Sequence, residues 1–312
     1  MPEWLVERGI GETRSALIEN GEIIEARIEL DSIQRAGNVV AAKLIQSAKR
    51  NAVARDGNGT EYLLPRGAGA VTEGQALNIE ITREAIPGGE PWKRPIARST
   101  DAPVRESALT DGRPTAGNEL GQLGWSDLVE ESRTGIVRFA GGELRISPTP
   151  AMTLIDVDGH VAAEELAVLG AAEAAKAIRR LDIGGSIGID LPTAGSKAAR
   201  QRAADAIDAI LSPPFERTAV NGFGFIQIVR PRRRASLVEL AQDRAPFEAR
   251  SVLRHVAFEP AGSKRLVAHP AVIAILEAKP DWLETLARQI GGAISLRADA
   301  SLPISGGYAE KA

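Results

Sequence analysis

Two short apolar runs in the middle of the chain, residues 152–155 and 187–189, each end in acid. The first runs into Asp156-Val157-Asp158 and the second into Asp190. Between them lies one Ala-rich, helix-like stretch, so the segment reads as strand, crossover helix, strand. A right-handed crossover makes the two strands parallel and brings both acidic ends to the same edge of the sheet. Carboxylates converging there can hold a divalent cation. Mg²⁺ takes oxygen ligands, usually one or two carboxylates, and keeps its other positions for water and phosphate oxygens. The pattern points to metal-assisted phosphoryl chemistry, with Asp156 and Asp190 as metal ligands and Asp158 beside them.

The rest of the composition narrows the field. At 312 residues the chain is long enough for two or three domains. Its net charge of −3 predicts no general basic coat, so nucleic-acid contact has to come from local patches. There is no cysteine, which excludes disulfides, thiolate zinc sites and cysteine nucleophiles, and fits a cytoplasmic location. The three histidines, His160, His255 and His269, are too scattered for a histidine-rich metal centre. The opening Met1-Pro2-Glu3-Trp4 predicts no signal peptide, and apolar runs of strand length predict no membrane association.

Along the chain, residues 15–18 and 23–28 flank Asn20-Gly21 and predict a hairpin. Residues 33–98 give short, evenly spaced strands with turns at 56–59, 73–74 and 87–89, the spacing of a small barrel such as an OB-fold. Residues 99–124, rich in Thr, Pro, Gly and charge, read as a connector. Residues 136–139 and 143–146 form a second hairpin. Helices are expected at 162–180 and 196–211, then a strand over 224–229. The tail predicts helices near 246–257, 270–277 and 280–290 and a strand at 293–297.

Asp156-Val157-Asp158-Gly159 admits three readings. It can be a helix-capping turn, a dehalogenase-type phosphatase motif with His160 in place of the usual Thr, or a nuclease metal site shared with Asp190. No Gly-rich phosphate loop and no His-Glu-x-x-His occurs. Arg230, Arg232, Arg233 and Arg234 follow the 224–229 strand. They are either a solvated face or, beside the acidic edge, holders of the phosphates flanking a scissile bond. Tyr62 and Trp92 either stack unpaired bases or pack in the barrel core. Lys93 and Arg94 follow as possible phosphate contacts.

In their order these pieces resemble the ribonuclease E/G family of bacterial endoribonucleases. Residues 11–21 are similar to its opening strand, and 33–98 to its inserted OB-fold RNA-binding domain. Residues 139–146 running into 151–158 resemble the hairpin and first metal strand of its DNase-I-like subdomain. Leu181-Asp182-Ile183-Gly184-Gly185 through Ile189-Asp190 is the most specific match. Residues 223–228 resemble the following strand, and 250–300 the small C-terminal domain. The resemblance implies a Mg²⁺-dependent endoribonuclease acting on single-stranded RNA and leaving 5′-phosphate and 3′-hydroxyl ends. Asp156 and Asp190 match its metal aspartates, and Asp158 stands where the family has an Asn that positions the attacking water. Arg217, with Arg113 and Thr115, corresponds to its 5′-monophosphate pocket, here with Pro114 splitting an adjacent Arg-Thr pair. Tyr62 falls at one stacking aromatic, and Val53 at the other. The family's two-cysteine zinc link is impossible here, which excludes a zinc-linked oligomer and leaves a homodimer through another interface open. The stretch between barrel and residue 136 is too short for most of the RNase-H-like subdomain.

The expected architecture is therefore α/β: an N-terminal hairpin over 1–32 and an OB-fold over 33–98. A connector with a sensor remnant over 99–135 leads to a DNase-I-like catalytic domain over 136–235 and a small C-terminal α/β domain over 236–312. Two other functions stay open: a non-catalytic RNA-binding protein on the same scaffold, and a small-molecule phosphatase of the dehalogenase type.

Overall fold

The computed structural model describes residues 1–88 and 92–311. Gly89 of the expected 87–89 turn lies outside the described residues. Strands β1 (Glu3–Arg8), β2 (Glu12–Glu19) and β3 (Glu22–Leu30) form an antiparallel meander. Its second turn is Asn20-Gly21, with φ of 52° and 82°. Two consecutive positive-φ residues are what a type I′ turn requires, so this hairpin lies where the sequence predicts it.

The next five strands are β4 (Val39–Gln46), β5 (Ala52–Asp56), β6 (Glu61–Leu64), β7 (Ala76–Arg83) and β8 (Ile96–Thr100). They close into a barrel in the order β4-β5-β6-β8-β7, with β6 and β8 parallel. Inside it, Tyr62 packs with Leu44, Leu64 and Ile79 and is only 1% exposed. Its hydroxyl donates to Asp56 Oδ2 at 2.9 Å, while Asp56 Oδ1 accepts from the amides of Asn58 and Thr60 and shapes the turn. Burial and Asp56 together push the phenol's pKa well above its ordinary value. Tyr62 is thus core, and the expectation that it stacks bases is corrected. Tyr62→Phe is expected to cost about 1 kcal/mol through the lost hydrogen bond. Tyr62→Ala should cost about 3–5 kcal/mol through the cavity. Urea denaturation of the two variants checks both values.

β9 (Arg113–Pro114) adds to β1 in parallel and completes a four-stranded sheet, β3-β2-β1-β9. Helices α1 (Glu119–Gln122) and α2 (Trp125–Thr134) follow. Leu120, Trp125 and Leu128 are buried in the main core. Residues 119–134 are therefore a packed element and not part of a connector, because a buried Trp and two Leu tie them down.

A six-stranded sheet then forms in the order β10-β11-β12-β13-β15-β14. Its members are β10 (Ile136–Phe139), β11 (Gly142–Pro148), β12 (Thr153–Gly159), β13 (Gly185–Asp190), β14 (Glu216–Arg217) and β15 (Phe225–Arg230). Helix α3 (Ala163–Arg180) crosses from β12 to β13, and α4 (Lys197–Ile210) follows β13. Small residues Ala167, Ala171, Ala174 and Ala175 let α3 sit close against its neighbours in the core. Arg179 Nε reaches back 2.8 Å to Glu25 of β3.

The remainder comprises α5 (Leu237–Gln242), α6 (Arg244–Ala257), β16 (Lys264–Ala268), α7 (Pro270–Glu277), α8 (Pro280–Ile290), β17 (Ile294–Ala298) and β18 (Tyr308–Lys311), with sheet order β17-β16-β18. The expected boundary at 236 does not divide the cores. Leu237, Val238, Leu240 and Phe247 belong to the main cluster, and the separate C-terminal cluster takes in Ala249 and later residues together with Ile10.

Buried ion pairs fasten α6 to the first hairpin. Arg14 contacts Glu7 at 2.7 Å and Glu12 at 2.6 Å. Arg250 meets Glu12 at 2.7 Å, and Arg254 meets Glu7 at 2.8 Å. Among the described residues no helix is long and apolar enough to cross a membrane.

Candidate functional site

Strand alternation builds the acidic site. In β12, Thr153, Ile155 and Val157 are buried, while Leu154, Asp156 and Asp158 are exposed on the opposite face. β13 runs parallel to β12 with Asp156 opposite Asp190, and the exposed Asp190 ends the strand. Residues in register on neighbouring strands about 4.8 Å apart project to the same side. The predicted parallel pairing of Asp156 with Asp190 is therefore present. Partial burial, then the charges of Asp158 and Asp190, raise the pKa of Asp156 above its ordinary value. Such repulsion is relieved when a cation arrives.

Sequence reading missed two neighbours. β11 places Arg145 opposite Asp156 and Glu143 opposite Asp158. Arg145 donates to Glu143 at 2.6 Å and lies 3.9 Å from Asp158. The period-2 pattern of the 143–146 strand carried this signal, since its charged residues alternate with buried Leu144 and Ile146. Among the described residues no group of three or more His, Cys, Asp or Glu side chains is arranged to hold a metal. A two-carboxylate Mg²⁺ site, completed by water and phosphate oxygens, needs no third such ligand. Asp156 and Asp190 fit that donor set.

The arginine run is not beside the acids. β15 is antiparallel to β13, pairing Phe225 with Asp190 and Arg230 with Gly185. Five residue steps of about 3.3 Å put Arg230, and Arg232, Arg233 and Arg234 after it, at the other end of the sheet, roughly 16 Å from Asp190. The expectation that they flank a scissile bond is corrected by strand direction. Phe225, half-buried, and Phe223, 83% exposed, occupy the acidic end instead.

The three residues assigned to a 5′-phosphate pocket are not brought together with free charges. Arg113 lies on β9 and is gripped by Glu119 at 2.6 Å and Glu3 at 3.2 Å, while the Thr115 amide donates to Val6 O. Arg217 lies on β14, at the outer edge of the other sheet, in a bidentate pair with Asp208 of α4. On the barrel, Trp92 is 68% exposed, Lys93 is half-buried, and Arg94 pairs with Glu61 at 2.8 Å. A scan against protein-family models and a search of curated proteins match nothing along the chain.

Proposed function

We propose that the protein is a Mg²⁺-dependent endoribonuclease of the ribonuclease E/G type, acting on single-stranded RNA in the cytoplasm. The observation that carries this reading is the in-register pair Asp156–Asp190 on the exposed face of a sheet. Asp156 and Asp190 would hold the cation. When bound, Mg²⁺ supplies polarisation of a phosphoryl oxygen and an acidified water. Asp158, two residues along the same face, accepts a hydrogen bond from the attacking water and orients it. Arg145 balances charge beside the acids.

Recognition of unpaired bases falls to exposed aromatics. Trp92 sits between the fourth and fifth barrel strands, and Phe223 beside the acidic end. The barrel order, first-second-third-fifth-fourth, supports an OB-fold, whose loop between the fourth and fifth strands is a usual binding element. The six-stranded sheet with its crossover helix supports the DNase-I-like assignment. A non-catalytic RNA-binding protein is the second reading, favoured by Arg145, whose guanidinium already gives Asp158 a cation.

The test incubates labelled single-stranded RNA with purified protein, in Mg²⁺ and in EDTA. Internal cleavage in Mg²⁺ alone is expected. Retention of RNA without cleavage would establish the second reading. Hydrolysis of a generic phosphate ester with RNA left intact would favour a phosphatase.

A further inference from the structure

The displaced arginines form a site of their own. A cavity of about 390 Å³ at the end of the sheet opposite the acids is lined by Arg27, Arg230, Arg232, Arg233 and Arg234, with Asp182 the one lining carboxylate among the described residues. Arg27 comes from β3, so the N-terminal sheet closes one side. The exit of β15 approaches the start of β13 very closely. A Cβ on Gly184 would sit 2.8 Å from Pro231 O and 3.0 Å from Arg232 Cα, so only glycine permits this packing. The Gly184-Gly185 pair thus brings the arginine segment against the cavity.

Among the described residues, the five arginines of the cavity outnumber the carboxylates they meet. Asp182 meets Arg234 at 3.3 Å, Glu25 lies 3.5 Å from Arg27, and Glu239 pairs with Arg232. Glu84 is 4.0 Å from Arg234, whose Nε is buried without a hydrogen-bond partner. Among the described residues Arg230 donates only to main-chain carbonyls, at 2.9 Å to Ile183 O and 3.4 Å to Ile178 O. The exposed Arg233 side chain has no ion pair among the described residues. Burial, then Arg234, depress the pKa of Arg27, and burial depresses that of Arg230. Crowded guanidinium groups of this kind are stabilised by an added anion.

We propose that this cavity binds a compact polyphosphate, either free or as the 5′ end of an RNA. Guanidinium forks match phosphate oxygens bidentately. Among the described residues the apolar lining of the cavity is Pro213, Pro214 and Pro231, with no aromatic or large aliphatic side chain to enclose a base or an acyl chain. The inference does not depend on whether the aspartates cut RNA.

Calorimetric titration of the full chain with inorganic pyrophosphate at low ionic strength tests it. One saturable site is expected, tighter than for inorganic phosphate, with a rise in melting temperature. Arg233→Ala, at an exposed position, should weaken binding by about tenfold or more, the loss of one charge-assisted contact. Arg230→Gln should weaken it as well, and the melting curves show whether each variant is folded. Absence of saturable binding to folded wild type, or equal affinity in wild type and folded Arg233→Ala, overturns the proposal. Displacement of pyrophosphate by a 5′-triphosphorylated oligonucleotide but not by its 5′-hydroxyl form identifies an RNA end as the source. Displacement by neither identifies a free polyphosphate, and equal displacement by both overturns the pocket in favour of general backbone attraction.

Discussion

Arg14→Met is expected to destabilise the protein by about 3–5 kcal/mol, as much as emptying a large core side chain. Arg14 is 2% exposed and stands between Glu7 and Glu12, which are themselves buried. Removing its charge leaves two carboxylates in a poorly solvated place, served among the described residues only by Arg254 and Arg250 from α6. The penalty comes from those stranded charges. The same network makes stability acid-sensitive. Burial alone would raise the pKa of Glu12, but Arg14 and Arg250 outweigh it and hold the value below the ordinary 4.5. Its contribution is therefore complete above about pH 4.5 and is lost as pH falls through the depressed value. Urea melts of wild type and variant at neutral and acid pH check both statements: the gap between the two proteins should narrow as pH falls.

Asp156→Asn should lower Mg²⁺-dependent RNA cleavage at least about 100-fold, since a bound metal contributes several kcal/mol to such a transition state. Stability should move the other way. Asp156 shares a sheet face with Asp158 and Asp190, so neutralising it removes like-charge repulsion. The gain is a few tenths of a kcal/mol, because the site is open to solvent. Lost activity with unchanged or slightly higher stability marks a functional acid. A variant that loses both in parallel would mark Asp156 as structural.

Local chemistry made much of this fold legible. Asn20-Gly21 specifies its turn, and the helix expected over 162–180 is Ala163–Arg180. The acid pair was readable because period 2 fixes which residues share a face, and right-handed crossover fixes parallel pairing. The arginine run was misplaced because nothing local to 224–234 sets the direction of that strand. The direction is decided by the path from α4 through β14. Tyr62 was ambiguous for a related reason: alternation says that neighbours point to opposite sides of a barrel wall, but not which side is inside. Two-residue strands such as β9 and β14 have no periodicity to read. Residues 119–134 look like part of a connector because their apolar positions are few, and nothing local to 237–242 says which of two cores its apolar residues enter. They join the main core because Trp125 and Leu237 are buried there.

Mn²⁺, which favours the same oxygen donors as Mg²⁺, tests the pairing of Asp156 with Asp190 most directly. Electron paramagnetic resonance of the free ion, during titration of the full chain, counts bound Mn²⁺ per molecule. One site in wild type, displaced by Mg²⁺ and absent from folded Asp190→Asn protein, is the predicted result. The same stoichiometry and affinity in wild type and Asp190→Asn would contradict it.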